Sequence, residues 1–407
     1  MPRLTRRPRP TAIIVATLAA FALTLAACGD DDDSADDTTE TTESAAAGTY
    51  DEALGAEVVA HYAEGVHASY ETSVASAVEL QTAIDAFLAA PDDATLQAAK
   101  DAWLSARDDY GVTEAFRFYG GPIDHEEDGP EGQINAWPLD EAYIDYVEGD
   151  PTAGMINDPS VELTAESLAA ANEQGGETNI STGWHAIEFL LWGQDLSADG
   201  PGARPVTDYS TSPSAERRGE YLKVVTDLLV ADLESLVAAW DPDAGDNYYA
   251  EFVEEDTDES LTQIITGIGE LSRGELAGER MTVAYEERSQ EDEHSCFSDN
   301  TTADLQANQN GIIAVWTGSY PNLAGPGVEE LVADVDEELA AKTTADMEAS
   351  IAEIEQIPAP FDSHLGEDVS DDEPGRQAIL TSTELLSVQT DDLVDSAEAL
   401  GLTIEVS

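Results

Sequence analysis

The sequence has very few basic residues. Lysine and arginine together number 16, against 86 aspartates and glutamates, and the net charge is −70 over 407 residues. Phosphate backbones need a basic footprint, so the composition excludes nucleic acids and anionic membrane surfaces as binding partners. An acidic surface attracts cations, although we expect most of it to be an ordinary solvated face.

Cysteine is equally scarce, with only Cys28 and Cys296 in the chain. If Cys28 is modified, as argued next, Cys296 has no partner within the chain and no internal disulfide can form. Stability must then come from packing or from a bound ligand.

The N-terminal region contains four of the arginines. They precede an uncharged and mostly apolar stretch, residues 11–27, that ends at Cys28. This pattern predicts a secretory signal peptide over residues 1–27. A retained transmembrane anchor is the alternative, but the apolar run is short of the roughly 20 residues that a spanning helix needs.

The junction Leu25-Ala26-Ala27-Cys28 resembles the lipobox of bacterial lipoproteins, in which the cysteine sulfur receives a diacylglycerol. The resemblance implies lipidation at Cys28 and a lipid-anchored, extracytoplasmic location in the cell envelope. Residues 28–49 are rich in aspartate, serine and threonine and have almost nothing apolar to bury. We therefore expect an acidic, disordered tether between the lipid and a folded body.

Strand patterns bounded by tight hairpin turns are nearly missing after residue 50, and helical periodicity dominates. The segments with apolar residues at helical spacing are 53–90, 96–118, 215–240, 328–357 and 377–400. Long helices joined by short turns usually form antiparallel bundles, so we predict an all-α fold. We predict two bundles of the four-helix type, an N-terminal one over 50–212 and a C-terminal one over 213–407.

Two ionisable residues stand in an apolar run near the middle of the chain. The run 179–193 predicts a short buried helix, capped by Ser181 or Thr182, in which only His185 and Glu188 can ionise. Three residues apart, they share one face of the helix. A buried carboxylate must be paired or bind a metal, so the spacing leaves two readings: a metal site, or a satisfied core pair.

A second set of polar residues continues an apolar helical seam. The seam runs, at steps of three and four residues, through Leu96, Ala99, Trp103, Arg107, Tyr110, Glu114 and Arg117. Arginines on a stripe that faces the core need acidic partners, so this pattern predicts buried acids whose charge the arginines neutralise. The alternative is an exposed face with ordinary pairs between neighbouring turns.

The turn over residues 118–124 delivers a further carboxylate, Asp124. Together with Glu114, Glu188 and the imidazole of His185, it would form an oxygen-rich ligand set. Such a set suits iron or manganese better than metals that seek thiolates.

A third cluster covers residues 274–281 and 290–300, and its second part contains His294 and Cys296 among several acids. It could bind a metal or hold a reactive thiol. Its spacing matches no zinc pattern, and we interpret it as structural.

Several strings resemble the imelysin family. Residues 183–188, Gly-Trp-His-Ala-Ile-Glu, match its GxHxxE signature, and the strings 113–118, 134–140 and 293–299 look like imelysin segments in the same order. The resemblance covers the chain from about residue 50 to the C-terminus. It implies two helical bundles related by duplication, a cell-envelope location and a link to iron acquisition.

The resemblance also implies site residues. His185 and Glu188 become metal ligands, Glu114 and Asp124 become further ligands, and Arg107, Tyr110 and Arg117 lie around them. In the related periplasmic component of Efe-type iron uptake a further acid lies three residues before the first of the acidic ligands, where this chain has Gly111.

Three functions follow from these observations. The first is a lipoprotein that binds a metal ion, with iron expected and zinc or another divalent ion as alternatives, and passes it to an iron permease or another envelope uptake component. The second is a metallopeptidase, since family members were first described as such. The third is a structural lipoprotein without a ligand.

Overall fold

The computed structural model describes residues 50–197 and 200–407. The predicted signal peptide, the lipidation site Cys28 and the tether up to residue 49 lie outside the described residues, and they stay predictions.

The first half of the chain is built around three long helices. Its helices are α1 (Glu52–Ala89), α2 (Asp93–Gly111), α3 (Glu131–Ile134), α4 (Glu141–Ile144), α5 (Ala165–Ala171), α6 (Gly183–Trp192), α7 (Thr207–Ser210) and α8 (Ala215–Ala239). α1 packs along both α2 and α8, and α6 lies against α2 and α8. The short buried helix is thereby held in the middle of this group.

The second half contributes α9 (Tyr248–Glu254), α10 (Thr257–Glu270), α11 (Ala284–Glu287), α12 (Thr301–Thr317), α13 (Val328–Val335), α14 (Glu337–Ile354) and α15 (Pro374–Ala399). Helix α12 packs against α2 and against the short 3-10 helix Val112–Phe116 that continues α2. Residues near α12 therefore come close to the polar end of the inward stripe.

Strands are almost absent from the described residues. Two short strands, β1 (Ser319–Tyr320) and β2 (Leu323–Ala324), pair as an antiparallel hairpin. The all-α prediction is confirmed.

Local signals in the sequence explain where the main helices begin. Asp51 accepts a hydrogen bond from the backbone N–H of Ala53 at the start of α1. Asp92 and Thr95 form a capping box at the start of α2. The predicted segment 328–357 is divided instead, because Asp336 ends α13 and its carboxylate accepts from Leu339 N at the start of α14.

A π-helix, Leu271–Val283, joins α10 to α11. Wide turns of this kind are rare and occur mostly as single-turn bulges, often at functional sites. This one carries Glu275 and Arg280, whose contacts are described below.

The described residues from Tyr50 onward belong to one compact unit. The division into two bundles at residue 212 stays a prediction. Within the described part of the chain, no helix has both the length and the apolar character needed to cross a membrane.

Candidate metal centre

The buried helix α6 brings the histidine and the glutamate of the signature together. His185 is 2% exposed and Glu188 is fully buried. One turn apart on the same face, they form a contact of 2.9 Å between His185 Nδ1 and Glu188 Oε2.

The start of α6 differs from the sequence prediction. Neither Ser181 nor Thr182 caps the helix with its side chain, because their hydroxyls donate to the carbonyls of Leu168 and Gln133. Gly183 has a φ of +83°, and a Cβ there would overlap the carbonyl oxygen of Ile134. Glycine is required at this position because the helix begins directly against the backbone of α3.

The other carboxylate oxygen of Glu188 is also engaged. Oε1 accepts from the backbone N–H of Ser298 at 2.9 Å and from its hydroxyl at 2.7 Å. Burial raises the pKa of Glu188 to about 8, while the bonds from Ser298 favour its charged form. Glu188 is thus fixed on one side by His185 and on the other by the segment that precedes α12.

His185 has one ring nitrogen without a partner. Burial, followed by the charge of Arg107, lowers the pKa of His185 well below its usual value, so the imidazole is neutral. When Glu188 is ionised, Nδ1–H donates to it and Nε2 carries a lone pair. Nε2 is buried and has no hydrogen-bond partner among the described residues.

A narrow pocket lies beside His185. Its volume is about 20 Å³, and His185 lines it together with Glu293, His294 and Cys296. The rings of His185 and His294 are 4.9 Å apart between centroids and meet edge to face. Segment 290–300, interpreted from the sequence as structural, is therefore a wall of the pocket.

Sequence reasoning missed this contact because α6 ends at Trp192 and the segment begins only at Gln290. The one usable signal was that both regions resemble segments of the same family.

The inward stripe on α2 is buried, as the sequence predicted. Arg107 is 1% exposed. Its Nε lies 3.2 Å from Asp304 Oδ1, and its Nη2 lies 3.3 Å from His294 Nε2. The Arg107 guanidinium also lies against the ring of Tyr110, 5.3 Å from its centroid. The arginine neutralises a buried acid, as expected, and links the stripe to the pocket.

Glu114 lies among arginines. Its Oε2 accepts from Arg117 Nη1 at 2.8 Å and also from Arg280 Nη2, and Asn135 lies near its Oε1. Burial alone would raise the pKa of Glu114, but the charges of Arg117, Arg280 and Arg107 outweigh it and hold the pKa well below the usual range. Glu114 is therefore ionised, and the neighbouring arginines compensate its negative charge.

Asp124 lies in the turn after Arg117. Its Oδ2 accepts from Phe118 N, and its Oδ1 has no hydrogen-bond partner among the described residues. It does not line the pocket of His185. The four ligands predicted from sequence and resemblance thus occupy three neighbouring environments, with only His185 and Glu188 in direct contact.

The ionised state of Glu114 predicts a specific dependence on acid. Because its pKa in the folded state lies below the ordinary 4.5, its stabilising effect is present above that pH and is lost as the pH falls through the folded-state value. Wild type should have a larger free energy of unfolding than Glu114→Gln at neutral pH. The difference between the two proteins should become smaller in acid. Urea unfolding of both proteins at neutral pH and at about pH 3 measures it. A gap that stays constant would show that the carboxylate is not charged in the folded protein.

Comparisons with known proteins agree with this architecture. A family model described as imelysin matches residues 66–393. A protein named iron-regulated protein A from Synechococcus elongatus is 25% identical over 335 residues, which is 80% of each chain.

Two solved structures are similar in fold. One is described as an iron-regulated protein A precursor from Parabacteroides distasonis; it has a TM-score of 0.69 and 20% identity, over 87% of this chain and 96% of that one. The other is an imelysin-like protein from Psychrobacter arcticum, with a TM-score of 0.63 and 15% identity, over 88% of this chain and 99% of that one.

Proposed function

Because the chain belongs to the imelysin family, we propose that it binds iron in the cell envelope, as cargo for uptake or homeostasis, with His185 at the centre of the site. The relative from Synechococcus is named for regulation by iron, which supports an iron-related role for this chain.

One observation carries the proposal: the imidazole of His185 is neutral, and its Nε2 is buried without a hydrogen-bond partner in the part of the chain that the structure describes. Leaving a buried polar atom unsatisfied costs about 1–3 kcal/mol, and native proteins rarely tolerate it without a reason. A metal ion at Nε2 removes that cost. Histidines that bind metals typically donate their other N–H to a carboxylate, and the 2.9 Å contact between His185 Nδ1 and Glu188 Oε2 provides this arrangement when Glu188 is ionised.

The contacts favour different roles for the two signature residues. Both oxygens of Glu188 are engaged, by His185 and by Ser298. We therefore assign Glu188 to orienting the imidazole and to supplying negative charge, with His185 as the ligand. His294 lines the same pocket, but its Nε2 lies 3.3 Å from Arg107 Nη2 and its Nδ1 lies 3.1 Å from Asp304 Oδ2, so His185 supplies the nitrogen ligand.

The remaining predicted ligands fit a supporting role. Glu114 is neutralised by Arg117 and Arg280, and Asp124 holds the turn at Phe118. We assign Glu114 and Asp124 to this buried group of charged residues, which we call the charged wall, rather than to the metal.

The size of the pocket favours binding over peptide hydrolysis. A volume of about 20 Å³ holds an ion or a water molecule, but not an extended peptide. A zinc peptidase needs a cleft for its substrate and an open position on the metal beside a general base. Iron capture requires neither.

Lipidation at Cys28 and a tether over residues 28–49 would hold the body near the membrane. An iron permease or another uptake component is the partner that this arrangement suits.

The proposal predicts tight binding of one iron per chain without peptide turnover. The full chain, freed of metal, would be titrated with Fe²⁺ without oxygen and with Fe³⁺, at high ionic strength so that surface carboxylates are screened. The same preparation would be incubated with a peptide library. Saturable binding at one equivalent and intact peptides are expected. Iron binding that disappears at high salt, or peptide cleavage that depends on His185, would contradict the proposal.

A further inference from the structure

Three aspartates meet next to the pocket of His185, and one of them, Asp195, also lines that pocket. Asp195 lies in the loop after α6, Asp299 precedes α12, and Asp362 lies in the short 3-10 helix Phe361–His364. One carboxylate oxygen from each lies within 4.8 Å of the others. These residues are far apart in the sequence, so the fold has to bring them together against their mutual repulsion.

A fourth carboxylate, Glu293, lies close enough to Asp362 and Asp299 for their charges to act on it. It is 1% exposed, and neither of its oxygens meets the geometry of a hydrogen bond, although the hydroxyl of Thr301 lies close enough to favour its charged form. Burial raises its pKa well above the usual value, and the charges of Asp362 and Asp299 add to that effect. A buried acid near other acids, with neither oxygen in a hydrogen bond of good geometry, needs a cation or a proton.

The electrostatics of Asp299 agree with this placement. Burial raises its pKa to about 7, and the next largest influences are the charges of Asp362, Asp195 and Glu188, all of which act in the same direction. Asp299 adopts a φ of +59°, a conformation that few residues other than glycine occupy, and its Oδ1 has no hydrogen-bond partner among the described residues. The backbone is thus held in an uncommon conformation that presents this carboxylate to the group.

We propose that Asp195, Asp299 and Asp362, with Glu293 beside them, form a second cation site that takes a hard divalent ion of the calcium type. The donors are carboxylate oxygens alone, which calcium prefers and which distinguish this site from the imidazole nitrogen of the iron site. Bound there, the ion ties together the loop after α6, the segment before α12 and the short helix after α14. Its effect is therefore on the stability of the walls of the pocket.

Melting temperatures with calcium test the proposal. Calcium added to metal-free wild type at high ionic strength should raise the melting temperature by about 5 °C when the ion is well above its dissociation constant. The triple variant Asp195→Asn, Asp299→Asn, Asp362→Asn should gain almost nothing from calcium. Without calcium it should melt at or above the wild-type temperature, because three clustered charges have been removed.

The matched control is a triple variant with the same change of charge elsewhere. Glu57, Glu234 and Glu348 are exposed acids, and their replacement by glutamine should leave the calcium effect unchanged. His185→Ala should also show the rise in melting temperature on calcium addition. The two proposals can therefore be tested separately, because either site can fail while the other still binds its ion.

A single variant keeps the proposal testable if the triple variant does not fold. Asp299→Asn changes one half-buried carboxylate and should weaken calcium binding, measured by calorimetry, by about 10-fold, since affinity follows the number of ligand charges. Equal calcium shifts in the site and control triples, or no shift in the wild type, would overturn the proposal.

Discussion

Replacing His185 with alanine should lower the affinity for iron by about 100-fold or more. Losing a residue that merely orients a ligand typically costs 10–100-fold in metal affinity, so losing the ligand itself should cost at least as much. The variant removes a buried imidazole nitrogen, Nε2, that has no hydrogen-bond partner among the described residues, from a residue that lines the pocket. Competition with a coloured iron chelator measures the change directly.

Two further variants make this a graded series. Ser298→Ala removes the hydroxyl that donates to Glu188 Oε1 but keeps the backbone donor, so we expect a loss of about 10-fold. His67→Ala changes a partly buried histidine whose Nδ1 lies 3.8 Å from Glu71 Oε2 on the same helix, and it should have no effect on iron. If His185→Ala behaves like His67→Ala, the pair on α6 is a satisfied core pair without a ligand.

Loss of fold must be separated from loss of binding in this series. Alanine at position 185 leaves Glu188 Oε2 without its donor, which costs about 1–3 kcal/mol. Melting curves of the metal-free proteins show whether each variant is folded at the temperature of the binding measurement. Affinities are then compared only between folded proteins.

Much of the fold could be predicted because its signals are local. The apolar spacing of α1, α2, α8 and α15 and the N-terminal caps of α1 and α2 depend on residues within a few turns of one another. The π-helix over Leu271–Val283 could not be predicted, since its wide turns follow from what it packs against. The division at Asp336 could have been anticipated, because aspartate followed by two glutamates is a common start of a helix.

The same distinction separates the predicted from the unpredicted parts of the candidate site. His185 and Glu188 are one turn apart, so their contact follows from helical geometry. The partners that define their roles, Ser298 and His294, come from a distant segment. The inward stripe on α2 predicted that its arginines pair with buried acids. It did not predict that Arg280 of the π-helix also donates to Glu114.

Replacing Arg280 with methionine should be the most destabilising change in the charged wall. Arg280 is fully buried, and it donates to Glu114, Glu275 and Asn308. Methionine replaces the aliphatic stem of the side chain but not its guanidinium, so it leaves the acidic partners short of positive charge. Breaking a buried ion pair by removing one partner costs about 3–5 kcal/mol, because the other charge stays buried. Urea unfolding of the metal-free protein measures this loss.

Two comparisons show whether the uncompensated charge is the cause. Arg273→Met removes an arginine from the same π-helix that pairs with the exposed Asp391, and it should cost less than about 1 kcal/mol. Adding Glu114→Gln to Arg280→Met should recover part of the loss, because the buried carboxylate is then neutral. If the double variant is as unstable as the sum of the two single ones, Glu114 and Arg280 do not act as a pair. The charge of Glu114 would then be compensated by Arg107 and Arg117 alone.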